Sequence, residues 1–260
     1  MTPDPIAFEL FNLEIRWYGI LVATGIALGT LVFYFRGPKR GISGDSVLDI
    51  LIISIPIGVI CARLYYVIFN WRYFAMDPVE ILNIRGGGLA IHGGLLGGLA
   101  AAWFVTKYKR IRFLDMADAV VPGFALAQSI GRWGNYFNSE AHGGPTDLPW
   151  GIMVDGVKVH PTFLYESIWC FLLFLFLLWF DKKPRFAGQI ACLYGILYSV
   201  ERFLVEGLRT DSLMFGPFKQ AQLLSLAIIV ICAILYYLLR KKPSRPVDSD
   251  ATARNKGENS

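Results

Sequence analysis

The stretch Ala221–Leu239, AQLLSLAIIVICAILYYLL, carries no charged side chain and runs straight into Arg240-Lys241-Lys242. Crossing the hydrocarbon of a bilayer takes about 20 mostly apolar residues in a helix, because lipid offers the backbone no hydrogen-bond partner. The stretch therefore reads as a spanning helix with a basic anchor. Working outward, the pattern recurs at Trp17–Phe35, Val47–Phe69 and Phe163–Phe180. Three further segments are less apolar. Leu89–Val105 is rich in glycine, Leu114–Ile130 holds Asp115, Asp118 and Gln128, and Gln189–Leu208 holds Glu201, Arg202 and Glu206. Charge facing lipid is costly, so these three are expected to be shielded by the others. The expected fold is an all-α integral membrane protein of about seven transmembrane helices.

Composition agrees. Of 260 residues 55% are hydrophobic and only 17% charged, too little charge to cover a soluble domain. The formal charge of +5 does not suggest nucleic acid, because the basic residues form short clusters between apolar runs and no single patch. Those clusters orient the chain. Arg36, Lys39 and Arg40 follow the first span, Lys107, Lys109, Arg110 and Arg112 the third, Lys182, Lys183 and Arg185 the fifth, and Arg240 to Lys256 the seventh. By the positive-inside rule the N-terminus lies outside and the C-terminus is cytoplasmic. We expect one membrane domain, 1–242, and a polar, disordered tail, 243–260. Asp4, Glu9 and Glu14 stand where a cleavable signal peptide would carry basic residues. Cys61, Cys170, Cys192 and Cys232 all fall in apolar segments, as packing residues do. Asp115 and Asp118 read as a negatively charged helix start.

With that orientation, the polar residues that do not belong in lipid gather at one depth. Tyr18 opens the first span, Arg63 sits in the last third of the second and His92 begins the third. Arg132, Asn135 and Glu140 follow the outward end of the fourth, and Arg202, Glu206 and Arg209 occupy the outer half of the sixth. A site towards the outer face follows. Tyr198, Arg202, Glu206 and Arg209 share one helix face by their spacing. They form either a self-neutralising ladder or, with two arginines for one carboxylate, a seat for an anion such as a lipid phosphate. His92 stands among glycines whose four-residue spacing signals close helix packing. It is either a packing residue or a proton-transfer group. Arg63 binds either a second lipid headgroup or a carboxylate.

The most specific segment is Gly131-Arg132-Trp133-Gly134-Asn135-Tyr136-Phe137-Asn138-Ser139-Glu140-Ala141-His142-Gly143. It closely resembles the signature G-R-x-G-N-F-x-N-x-E-x-x-G of the bacterial prolipoprotein diacylglyceryl transferases, with Tyr136 in place of Phe. Arg16-Trp17-Tyr18-Gly19, the stretch ending His92-Gly93-Gly94, His160-Pro161-Thr162 with Tyr165-Glu166-Ser167, and Arg202 through Glu206 to Arg209-Thr210-Asp211 extend the likeness over essentially the whole chain.

The resemblance implies a seven-helix, multi-pass enzyme of the bacterial cell membrane. Such an enzyme moves a diacylglyceryl group from phosphatidylglycerol to the lipobox cysteine of a prolipoprotein signal peptide. It makes a thioether, releases glycerol 1-phosphate and uses no cofactor or metal. For that chemistry Arg132 and Arg202 are the candidates for gripping phosphate, and His92 for the base or relay. Tyr18 and Tyr198 are candidates for ordering the headgroup or the leaving oxygen. Asn135 and Glu140 are expected to hold the arginines and the outer loop, and Gly143 to let that loop turn. His142 and His160 are read as structural. A transporter would place charge near the midplane and show related halves. An intramembrane hydrolase would need a serine motif or paired aspartates.

Overall fold

A computed structural model describes residues 3–11, 13–84, 87–210 and 212–241. The tail expected at 243–260 lies outside the described residues. The chain is mostly helical: α1 Trp17–Arg36, α2 Gly44–Phe69, the single turn α3 Trp71–Phe74, α4 Ile91–Tyr108, α5 Phe113–Phe137, α6 Thr162–Phe180, α7 Gln189–Leu208 and α8 Gln220–Arg240. Five of these, α1, α2, α5, α6 and α8, are long and apolar enough to cross a membrane. Helix α4 (18 residues), with its glycines, and α7 (20 residues), with its charges, are not among these five.

Three small antiparallel hairpins, absent from the all-α expectation, join the helices: β1 Ile6–Leu10 with β2 Leu13–Arg16, β3 Ile152–Val154 with β4 Val157–Val159, and β5 Met214–Phe215 with β6 Phe218–Lys219. The Asp155-Gly156 pair turns the second hairpin with positive φ at both residues (48° and 80°), the geometry that suits strand twist. Gly143, expected to let the outer loop turn, instead bridges to Arg209, and Pro145 bridges to Val159.

The largest departure is at α5. The apolar run ends at Ile130, but the helix continues through Phe137. In this added turn Arg132 and Trp133 find side-chain partners on neighbouring helices, and Asn135 finds one in the loop that follows.

The chain divides into two compact units, one of Met1–Arg36 with Ala117–Val247 and one containing Gly37–Met116. In the first, α1 meets α5 through glycine: a Cβ on Gly29 would sit 2.8 Å from the Gly123 carbonyl. Ala125, Leu173, Leu177 and Ile190 form the buried core joining α5, α6 and α7. Cys232 of α8 seats against Gly195 of α7, a packing role for that cysteine. Asp118 is fully buried and caps a helix start, though not its own. Its carboxylate accepts the Gly188 and Ala191 N–H groups at 2.8 and 2.9 Å, at the amino end of α7. Arg36 closes the same end of the unit through a buried ion pair with Asp181.

In the second unit α2 and α4 pack closely. Cys61 lies against Gly93 and Gly97, and a Cβ on Gly58 would come within 3.2 Å of the Gly94 carbonyl. Asp49 at the start of α2 pairs with Lys109 at the end of α4 at 2.5 Å. Asp115, in the first turn of α5, pairs with Arg112 at 3.4 Å.

Candidate active site

Helix α6 has one charged residue, Glu166, and it is 1% exposed. A carboxylate cannot be stripped of water without partners, and two arginines supply them. Arg132 Nε, on the extended end of α5, lies 2.8 Å from Glu166 Oε2. Arg202 Nη1, on α7, lies 2.8 Å from Glu166 Oε1. One helical turn on, Glu206 takes Arg202 Nη2 at 2.5 Å. Three helices are thereby joined by one run of charge. Arg132 Nη2 also donates to the Tyr198 hydroxyl at 3.4 Å, and Tyr198 stacks on Tyr194 with rings 5.6 Å apart.

The charge count differs from the one that the α7 stripe suggests. The stripe shows Arg202 and Arg209 for one carboxylate, Glu206, but the structure brings Arg132 from α5 and Glu166 from α6 to Arg202 and Glu206. Arg132 and Arg202 are then balanced by Glu166 and Glu206. A guanidinium has five N–H donors, so these ion pairs leave donors available on both arginines. About one-fifth of each arginine side chain is exposed (20% and 21%). The pair can therefore present directed N–H groups, with little surplus charge.

Glu201, on the next residue of α7, is a further carboxylate, 2% exposed, and neither of its oxygens has a hydrogen-bond partner among the described residues. Behind the ion pairs Ser129 and Ser167 donate to each other's carbonyls at 2.8 and 2.9 Å, and Trp133 Nε1 reaches Ser167 Oγ at 3.1 Å. These bonds fix the rotation of α5 against α6 and so the direction of Arg132.

The rest of the signature serves its own loop. Asn135 and Asn138 both donate to Glu140 Oε1, at 3.0 and 3.2 Å, and the Glu140 N–H donates to the Asn135 carbonyl at 3.0 Å. Glu140 is flanked by Ser139 and Ala141, both at positive φ (53° and 57°), a conformation that costs non-glycine residues energy and needs such bonds to hold it. The expectation that Asn135 and Glu140 hold the arginines is thus replaced: they hold each other, and Glu166 holds the arginines. Gly143 is not in a left-handed conformation. A Cβ there would meet His160 at 2.7 Å, so it is small because the strand-like loop passes close to other backbone. Gly134 is small for Tyr18, whose ring would lie 2.6 Å from an added Cβ. A cavity of about 250 Å³ opens beside this loop, lined by Asn135, Tyr136, Glu140, His142 and Phe163 among others. His142 Nδ1 lies 3.1 Å from the Gly143 carbonyl and His160 Nδ1 3.4 Å from the Tyr165 hydroxyl.

At the end of α7, Arg209 pairs its backbone with Gly143, and Lys219 Nζ donates to the Glu206 and Arg209 carbonyls, each at 2.7 Å. A cation on the last carbonyls suits the helix dipole.

In the second unit His92 is an exposed residue in the first turn of α4, its ring 6.2 Å from that of Tyr65. Arg63 meets backbone carbonyls and no carboxylate side chain among the described residues. Its guanidinium donates to the carbonyls of Glu80, Ile81, Gly87 and Gly88 at 2.5–3.0 Å, over the face of Phe74. It organises the loop that leads into His92.

Sequence reasoning singled out Arg132, Arg202, Glu206 and Tyr198, which the structure brings together, but not their hub. Glu166 had a signal: it is a lone charge in an otherwise apolar span. Glu201 was passed over as one of several charges in α7. Among the described residues no group of three or more His, Cys, Asp or Glu side chains is placed to hold a metal ion.

Residues 5–238 match the family described as prolipoprotein diacylglyceryl transferase. The chain is 56% identical over 247 residues to the phosphatidylglycerol–prolipoprotein diacylglyceryl transferase of Clostridioides difficile (strain 630), covering 95% of this chain and 100% of that one. It is 49% identical to the protein of the same description from Clostridium novyi (strain NT), over 89% of this chain and 94% of the relative. With the Finegoldia magna protein, again so described, it shares 48% over 92% and 97%. The chain belongs to the prolipoprotein diacylglyceryl transferase family.

Proposed function

We propose that this protein transfers the diacylglyceryl group of phosphatidylglycerol to the cysteine thiol of a prolipoprotein lipobox, and that the Arg132–Glu166–Arg202 cluster receives the phosphate. In that reaction a C–S bond forms at the glycerol carbon of the donor while its C–O bond to phosphate breaks. The electron pair leaves with glycerol 1-phosphate, and the thiol gives up its proton. The phosphate goes from one negative charge to two, so it needs donors that strengthen as charge develops. The single observation that carries this reading is the pair of arginines from α5 and α7 locked onto opposite oxygens of one buried carboxylate. Locked guanidinium forks with open N–H groups suit a phosphate without reorganising.

A free thiol is mostly protonated near neutral pH, with a pKa of about 8.5. His92 is the candidate to take that proton. Tyr18 and Tyr198 order the donor's headgroup or leaving oxygen. The Asn135–Glu140 loop and the segment of Gly143 and Arg209 frame the site.

The same reading counts seven spans, α4 and α7 being added to the five more apolar helices. It places the N-terminus and the 132–161 loop outside, the C-terminus in the cytoplasm, and the site towards the outer face of the bacterial cell membrane. Residues 1–242 act as one membrane domain. The basic clusters after α1, α4, α6 and α8 support this orientation. Purified protein given phosphatidylglycerol and a lipobox peptide should release glycerol 1-phosphate in step with thioether formation. Release without the peptide would mean hydrolysis, and no release would remove the reading.

A further inference from the structure

Glu201 is a buried carboxyl that the reaction as described does not use, and neither of its oxygens has a hydrogen-bond partner among the described residues. It projects from α7 beside Arg202, and the groups acting on it electrostatically are Arg132 on α5, Glu166 and Cys170 on α6, and Tyr198 and Arg202 on its own helix. The remaining helices of the unit bring it no countercharge. The only charged residue of α1 is Arg36, engaged with Asp181, and the only one of α8 is Arg240 in its last turn. The titratable groups of α8 that meet α7, Cys232 and Tyr236, do so at Gly195 and Gln189, about two or more turns before Glu201.

The electrostatic ledger of the cluster is closed without Glu201. Arg132 and Arg202 are matched by Glu166 and Glu206. An ionised Glu201 would be a surplus negative charge with no N–H to hold it, in the company of Glu166 and out of water. An anionic phosphate arriving at the open N–H groups of the same arginines would add another negative charge. Both conflicts disappear if the carboxyl carries a proton.

We propose that Glu201 is a positioning residue that must be protonated while a phosphate ester occupies the arginine cluster, so that phosphate binding and proton binding are coupled. By reciprocity, whatever the phosphate does to the Glu201 proton, the proton does to the affinity for phosphate. The residue never touches the substrate. It acts by deciding whether the two arginines face the phosphate from a neutral cluster or a negative one. This inference rests on the phosphate reading of the site given above.

The test is steady-state transfer by the full-length, detergent-purified protein, with KM for phosphatidylglycerol followed from mildly acidic to alkaline pH. The wild type is compared with Glu201→Gln, which is nearly isosteric and cannot ionise, and Glu201→Met, which fills the space without a polar group. In the wild type KM should rise with pH, approaching about tenfold per pH unit once a proton must be taken up for each phosphate bound. In both variants that rise should be absent, while kcat keeps its own dependence on thiol ionisation. A wild-type profile parallel to those of the two variants overturns the role of Glu201 and leaves the phosphate site standing. Absence of any transfer by the wild type overturns both. Should Glu201→Gln fail to fold, the Glu201→Met profile decides alone, and a pH-dependent KM in that protein counts against the proposal.

Discussion

Glu166 Oε2 accepts Arg132 Nε at 2.8 Å from a position that is 1% exposed, so this arginine is held from the dry side of the helix bundle. The pairing crosses from α5 to α6, and Arg202 completes it from α7 on the other carboxylate oxygen. A carboxylate used in this way sets the direction of both guanidinium planes at once. Its removal should therefore be felt as more than the loss of one salt bridge. Glu166→Gln is expected to lower the stability of the solubilised protein by on the order of 3 kcal/mol, as breaking one side of a buried ion pair does, and to abolish transfer. Thermal melting in detergent beside the transfer assay checks this. An unchanged melt would mean that the arginines do not depend on Glu166.

Arg132 separates charge from geometry. It contacts Glu166 through Nε and Tyr198 through Nη2, two directions that a lysine ammonium cannot serve together while also meeting a phosphate. Arg132→Lys should lose about 10²-fold or more in kcat/KM with near-normal melting, and Arg132→Gln should be at least as poor. Near-normal activity in the lysine variant would exclude a role for the fork.

The contact of Tyr18 with Gly134 predicts a coupled pair. In Gly134→Ala the new methyl meets the Tyr18 ring, which should cost about 1–3 kcal/mol by overpacking and displace the tyrosine. Tyr18→Ala should relieve that cost, so the double variant should melt above the sum of the single effects. Strict additivity would show that the ring moves aside freely.

His92 is exposed at the start of α4, where a substrate can reach it. If it takes the thiol proton, His92→Asn should slow turnover by about 10²-fold or more and leave KM for the lipid nearly unchanged. Raising the pH should restore part of the rate, because the thiolate fraction grows without help as pH approaches about 8.5. Normal turnover at neutral pH would return this histidine to a packing role.

Orientation is open to labelling. Asp147, in the loop between α5 and α6, and Lys183, between α6 and α7, are both exposed. Cysteine at 147 should react with an impermeant reagent in intact cells and cysteine at 183 only after lysis. The reverse pattern would overturn the topology and the outer-face site together.

By itself the sequence determined what depends on local composition and chain order. Apolar length marks the long helices, since a span must satisfy its backbone within itself. The spacing of Tyr198, Arg202 and Glu206 puts them on one helix face, since that follows from 3.6 residues per turn. The signature at 131–143 made the family recognisable. Tertiary structure alone decided which charge meets which. Glu140 lies closest to Arg132 in sequence, yet Glu166 is its partner, because α6 brings a lone buried carboxylate alongside while the Asn135 and Asn138 amides claim Glu140. Asp118 looked like the start of its own helix and caps α7 instead, and Arg63 spends its donors on backbone carbonyls that the sequence does not display. The physical reason is common to all three. A polar group taken out of water favours a partner, but its residue type does not say which one; the packing of distant segments supplies it.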